Sequence, residues 1–238
     1  MMYHAYENGF HTLGRQALME PIEWTADGWF KATGVDAGQP IAKPEGGEML
    51  AHGMALSDDF FTNKFGLQWS FFRGDGTENQ RVGYRDGVME VAGKGNSPAN
   101  SSPLTFIAGD QAYQIEVDLD IDPDAQGGAL LFYNDKLYAG LGINEKGLVL
   151  HRYGMDRNTP KPGGMGSKVR IRVTNNRHIV TIHTSTDGGK TWVKYGIQME
   201  VSGYHHNVAY GFMSLRPAIY AAGKGKVRFS NFVYRALP

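Results

Sequence analysis

The stretch that most constrains this chain runs from Gln111 to Gly154, QAYQIEVDLDIDPDAQGGALLFYNDKLYAGLGINEKGLVLHRYG. Tyr113, Ile115, Val117, Leu119 and Ile121 alternate with Gln114, Glu116, Asp118, Asp120 and Asp122. A period of two, with one apolar and one polar face, is the signature of a half-buried strand. Pro123 ends it, and strands over Ala129–Asn134, Lys136–Asn144 and Leu148–Tyr153 follow, the last pair joined by Glu145-Lys146-Gly147. The pattern predicts four consecutive antiparallel strands. In the third, Tyr138, Gly140 and Gly142 share a face. Glycine weakens a strand, so two on one face predict the close approach of something, either a flat ligand or a crowded crossing of the sheet.

The rest of the sandwich-like part reads the same way. Phe60-Phe61, Leu67–Phe72, Arg81–Tyr84, Val88–Ala92 and Leu104–Ala108 precede the central four. Lys168–Val173, His178–Thr184, Val208–Leu215, Ala218–Ala222 and Val227–Tyr234 follow them. GKGNSPANSSP (93–103) and RNTPKPGGMG (157–166) read as loops. Many short strands without a helical period predict an all-β, two-sheet antiparallel sandwich of jelly-roll type over residues 50–238. Residues 1–49 differ: a hairpin turning at Ala26-Asp27-Gly28 and a Gly/Pro-rich stretch, Gly34–Gly47, that reads as linker or covering loop. A lone hairpin is marginal in water, so this one must pack on something.

Composition narrows the function. The 24 basic and 24 acidic residues balance, which argues against nucleic acid as the partner. No apolar run reaches membrane-spanning length. With no Cys, disulfides and thiolate metal sites are excluded, and the compartment stays open. MMYHAYENGF lacks the basic and apolar regions of a signal peptide.

Several constellations carry candidate chemistry. Residues two apart on a strand sit roughly 7 Å apart, so Glu116 and Asp118 fall in the range of an inverting glycosidase pair, about 6.5–9.5 Å. The alternative is a solvated face paired across strands with Lys168, Arg170 and Arg172. STDGGKTW (185–192) has the S-x-D-x-G-x-T-W pattern, in which Asp187 holds turn amides. Asp58-Asp59 offers carboxylates to a structural calcium. His205 and His206 would point to opposite faces of a strand, against a joint metal site. Sugar binding needs aromatic faces beside polar groups. Tyr133, Asn134, Tyr138, His151, Arg152 and Tyr153 supply them on the central strands, and Arg216 is a further candidate.

Four segments carry a family resemblance over essentially the whole chain. YHAYENGFHTLGRQALMEPIEWTADGWF (3–30) resembles the closing segment of the five-bladed propeller of family-43 glycoside hydrolases, the β-xylosidases and α-L-arabinofuranosidases. LSDDFF (56–61), GGALLFYND (127–135) and YHHNVAYGFMSLRPAIYAAGKGKVRFSNFVY (204–234) resemble the concanavalin-like sandwich that follows it, the family-91 carbohydrate-binding module. The resemblance implies that His4 stands near the propeller's central ion or water, that Arg15 lines a sugar subsite, and that a sandwich loop closes one side of the active-site pocket. The family's catalytic acids lie on earlier blades, which nothing in this sequence resembles. The chain therefore looks like the C-terminal part of such an enzyme. The leading expectation is a xylan- or arabinoxylan-binding accessory module without the family's catalytic acids. The alternatives are a self-standing glycosidase on Glu116 and Asp118, and a docking domain that associates with itself through residues 1–49.

Overall fold

The computed structural model describes residues 1–34, 36, 39, 41–42, 45–46 and 55–238. The linker expected over Gly34–Gly47 and the boundary at residue 50 lie largely outside that set.

The strands, in chain order, are β1 (Met2–Tyr6), β2 (Arg15–Met19), β3 (Ile22–Trp24), β4 (Phe30–Ala32), β5 (Ser70–Phe71), β6 (Val82–Arg85), β7 (Val88–Ala92), β8 (Leu104–Thr105), β9 (Ala112–Ile121) and β10 (Ala125–Asn134). They continue as β11 (Leu137–Asn144), β12 (Gly147–Arg152), β13 (Met155–Pro160), β14 (Lys168–Asn176), β15 (Ile179–Ser185), β16 (Val193–Lys194), β17 (Met199–Glu200), β18 (Arg216–Gly223) and β19 (Lys226–Ala236). One large sheet runs β13-β12-β11-β10-β18-β8-β5, the other β16-β15-β14-β9-β19-β7-β6, with β17 beside β15. Two small hairpins, β1–β2 and β3–β4, stand apart from both. The fold is an all-β sandwich of two antiparallel sheets.

Alternation places the core. Ile115, Val117 and Leu119 on β9 sit opposite Val173, Ile171 and Val169 on β14, and all are buried between the sheets. They meet Ala129, Leu131, Leu141 and Ile143 from the facing sheet. Each Val, Leu or Ile among them contributes about 1.5–3 kcal/mol by leaving water.

The central strands depart from a half-buried pattern. β10 and β11 are buried on both faces. Their outer face carries a second cluster: Leu130, Phe132, Tyr138, Ala218, Tyr220 and Phe72. The cover comes from 93–103, which lies across β18 through Gly93 N–H to Gly225 O (2.9 Å), Lys94 N–H to Ala221 O (3.2 Å) and Gly223 N–H to Gly95 O (2.9 Å). Ala99 of this loop packs on the cluster.

Two strand expectations are corrected. Val208–Leu215 is a loop, with Val208, Tyr210 and Phe212 in solvent. Phe60-Phe61 bends instead of extending, with Phe60 at φ 58. A strand absent from the sequence reading, β13, occupies part of the 157–166 stretch and pairs with β12.

Candidate functional site

Tyr138 and His151 do come together, but inside the protein. On the outer face of the first sheet, His151 Nδ1 lies 2.7 Å from Asp156 Oδ1, and His151 Nε2 lies 2.7 Å from Tyr220 Oη. The Tyr138 hydroxyl donates to Gly154 O (3.0 Å). His151 is fully buried, and burial holds its pKa below the ordinary histidine value. The neutral ring therefore donates from Nδ1 to the carboxylate and accepts the Tyr220 proton at Nε2. This network explains Gly142, and close packing on β10 explains Gly140. A Cβ at Gly142 would stand 2.1 Å from Tyr220 Oη and 3.0 Å from His151 Nε2, and one at Gly140 would meet Ala129 O and Leu130. The crowding predicted for this face comes from the protein's own side chains.

Tyr133 points the other way, into the core, continuing the alternation of Ala129 and Leu131 along β10. Its hydroxyl donates to Gly211 O (2.7 Å). Asn134 Oδ1 accepts from Lys136 and Leu137 N–H (2.9 Å each), and its Nδ2 donates to Ala209 O (3.3 Å). With all three rings buried, Tyr133, Tyr138 and His151 present no face for a sugar, which corrects the expectation of an aromatic sugar-binding cluster there. Tyr133 and Asn134 instead hold the 204–213 loop.

The acidic stripe is an ion-pair lattice. Arg172 stands directly opposite Glu116, and Arg170 opposite Asp118. Glu116, nearly fully buried, accepts from Arg170 (3.0 and 3.1 Å), Arg172 (2.8 Å), Arg235 (3.4 Å) and Gln114 (2.9 Å). Asp118 accepts from Arg170 (2.9 Å) and Asn231 (2.8 Å). Both oxygens of Glu116 are thus occupied by arginine N–H donors, and Asp118 shares Arg170 with it. The cross-strand pairing alternative describes this stripe.

Asp187 plays the structural part read from its motif. It accepts from the amides of Lys190 (3.0 Å) and Thr191 (2.9 Å) and from the hydroxyls of Ser185 (2.7 Å) and Thr191 (2.6 Å). Gly188 and Gly189 take φ 73 and 91 in this turn.

Asp58 is fully buried at its side chain. One oxygen accepts from the Phe60 amide (3.0 Å) and pairs with Lys64 Nζ (3.1 Å); the other accepts from the Trp69 indole (2.8 Å). An ammonium already stands where a divalent cation would. Asp59 caps the Phe61 amide at the surface (3.2 Å). Among the described residues no group of three His, Asp or Glu side chains is placed to hold a metal. The donor set does not fit the expected calcium.

The exposed polar–aromatic surface lies where the first hairpin meets the sandwich. Leu215 N–H donates to Thr12 O (2.6 Å), and Gly14, at φ 72, packs on Ser214, 3.2 Å from its would-be Cβ. Tyr6 stacks on His206 at 4.5 Å, His11 lies 5.3 Å from His205, and Thr12 Oγ1 lies 2.9 Å from His178 Nε2. Over this joint the Arg15 guanidinium sits 4.1 Å from the centre of the Phe212 ring, with His4 Nε2 3.2 Å from Arg15 Nη1. Phe212 is 72% exposed and Tyr210 94% exposed. One residue of the pair comes from β2 and the other from the loop anchored by Tyr133 and Asn134.

Residues 57–235 match the family described as "Beta xylosidase C-terminal Concanavalin A-like domain". The chain belongs to this family. No curated protein matches the chain. Among solved structures, the GH43 protein BlXynB of Bacillus licheniformis superposes with a TM-score of 0.79 at 22% identity, over 96% of this chain and 48% of that one. The xylan beta-1,4-xylosidase of Bacillus halodurans gives 0.76 at 20% identity, over 94% and 48%. A Bacteroides ovatus protein, "Xyloglucan PUL GH43B", gives 0.76 at 18% identity, over 94% and 48%. These likenesses show the fold, and the chain spans about half the length of the proteins it resembles.

Within this beta-xylosidase C-terminal domain, the remaining candidates are dispersed. Arg152 and Tyr153 are exposed at the β12–β13 turn, the guanidinium 5.2 Å from the ring, and Tyr153 N–H donates to the Tyr204 hydroxyl (2.9 Å). Arg216 lies at the start of β18, beside a separate pocket. Phe212 and Tyr210 are absent from the sequence-derived candidates. The signal for them is VAYGF (208–212), large apolar residues before and after a glycine in a segment whose flanks lack strand alternation.

Proposed function

We propose that this chain is the non-catalytic, sugar-contacting accessory end of a xylan-acting glycoside hydrolase. The observation that carries the reading is Arg15 stacked on Phe212 at 4.1 Å, both exposed and each held from behind. An aromatic face beside a guanidinium is what a pyranose needs: C–H groups pack on the ring and hydroxyls accept from the Arg fork. Family membership supplies the xylan context. The pairing of Glu116 and Asp118 with arginines supports a role without turnover. Exposed Trp24, Trp29 and Phe30 on the second hairpin are the surface on which the remainder of a longer enzyme would pack.

The test is calorimetric titration of the chain with xylo-oligosaccharides, with an assay for released sugar on the same mixture. The reading expects heat of binding without product, weakened by Arg15→Ala and Phe212→Ala. Sugar release, or binding that survives both substitutions, would overturn it.

A further inference from the structure

A pocket of about 200 Å³ shares no lining residue with the Arg15–Phe212 joint and is lined by Leu67, Gln68, Trp69, Phe106, Ile107 and Arg216. Trp69 and Phe106 are buried and form its floor, while Leu67 (77% exposed) and Ile107 (61% exposed) form an apolar rim.

Two of the pocket's polar side chains are under-satisfied. Arg216 is half-buried, and its contact is one long hydrogen bond from Nε to Ser214 Oγ (3.4 Å). The other arginines around the sandwich core, Arg81, Arg170, Arg172 and Arg228, each pair with a carboxylate. Among the described residues Arg216 has no such counter-charge. Burial alone pushes its guanidinium below the ordinary arginine value. Gln68 is 6% exposed; its Nε2 donates to Leu56 O (2.6 Å), and its Oε1 is buried without a donor. A desolvated cation without an anion, and a buried acceptor without a donor, are each unfavourable until something supplies the partner.

The complement of this pocket is an anion, a neighbouring hydroxyl and a C–H face on one small body. We propose that the pocket binds a uronic acid, free or as a side group of a polysaccharide. The carboxylate accepts from the Arg216 fork, an adjacent hydroxyl donates to Gln68 Oε1, and the ring lies against Leu67 and Ile107. The choice of a sugar acid over another hydroxy acid rests on the carbohydrate reading above. The carboxylate requirement stands on Arg216 by itself.

The experiment is calorimetric titration of the full chain with D-glucuronate, its neutral isostere D-glucuronamide, and D-lactate. Glucuronate is expected to bind more tightly than glucuronamide by about ten-fold or more. Arg216→Gln is expected to remove that difference, and Phe212→Ala to leave it intact. Lactate is expected to bind more weakly than glucuronate, since it lacks the ring. Equal affinity for glucuronate and glucuronamide would overturn the proposal, as would a preference that survives Arg216→Gln. Lactate binding as tight as glucuronate would overturn the sugar assignment. Should Arg216→Gln fail to fold, Gln68→Leu replaces it: a loss of glucuronate affinity supports the site, and unchanged affinity contradicts it. Loss of xylo-oligosaccharide binding leaves this pocket untouched, so failures of the two readings are distinguishable.

Discussion

His151 Nε2 and Tyr220 Oη lie 2.7 Å apart across the outer face of the first sheet, over Gly142. The contact fills the space that a side chain at position 142 would need. Gly142→Ala is therefore expected to lower stability by about 1–3 kcal/mol, the cost of overpacking a close-packed site. Gly83→Ala on β6, where a Cβ would meet nothing within 4 Å, is the matched control. Urea denaturation of both variants checks this, and equal midpoints would contradict it.

Acidification acts through histidines. Burial is the first cause holding His151, His178, His183 and His205 below the ordinary value of 6.5, and neighbouring histidines add to it at His205. The unfolded chain takes up these protons near pH 6.5 while the folded chain resists them. Stability is therefore full above that value and falls as pH drops through it. Denaturant midpoints at pH 7.5 and 5.5 should differ in that direction, and a flat profile would show that these rings titrate normally.

Removing Glu116 leaves Arg170 and Arg172 facing each other without their shared anion. Glu116→Ala is expected to cost about 3 kcal/mol, in the range for breaking a buried ion pair. Glu116→Gln, which keeps the shape and some hydrogen bonds, should cost less. Sugar binding should follow the folded fraction and nothing more.

Asp58→Ala strands the Trp69 indole and the Phe60 amide. A loss of about 2–4 kcal/mol is expected from two buried donors without an acceptor. Calcium or a chelator should leave the Tm of the parent chain unchanged, because Lys64 already neutralises this carboxylate. A calcium-dependent rise in Tm would reverse that assignment.

The alternation of Ile115, Val117 and Leu119 with acids made the sandwich legible, because period two is a local property of one strand. The Lys168, Arg170, Arg172 series made the ion-pair lattice legible as well, since paired strands place every second residue opposite. The burial of Tyr138 and His151 was not legible. It depends on residues 93–103 folding across β18, a contact between segments more than a hundred residues apart in sequence. The orientation of Tyr133 follows the alternation with Ala129 and Leu131 and was legible, whereas the partner of its hydroxyl, Gly211 O on a distant loop, was not. Phe212 escaped because an alternating apolar segment reads as a strand, whereas here Tyr133 and Asn134 pin it as a loop.

That pinning makes a separate expectation. Tyr133→Phe keeps the ring in the core and removes the hydrogen bond to Gly211 O. Its stability cost should be about 1 kcal/mol, while its effect on xylo-oligosaccharide affinity should be larger than that of the surface substitution Tyr153→Phe. Equal effects would mean that the loop's position does not matter to the sugar.

The most direct test of the central claim is calorimetric titration of the chain with xylo-oligosaccharides beside its Phe212→Ala variant, with sugar release followed in the same samples. The account expects binding without product in the parent chain and weakened binding in the variant. Product formation, or binding indifferent to Phe212, would contradict it.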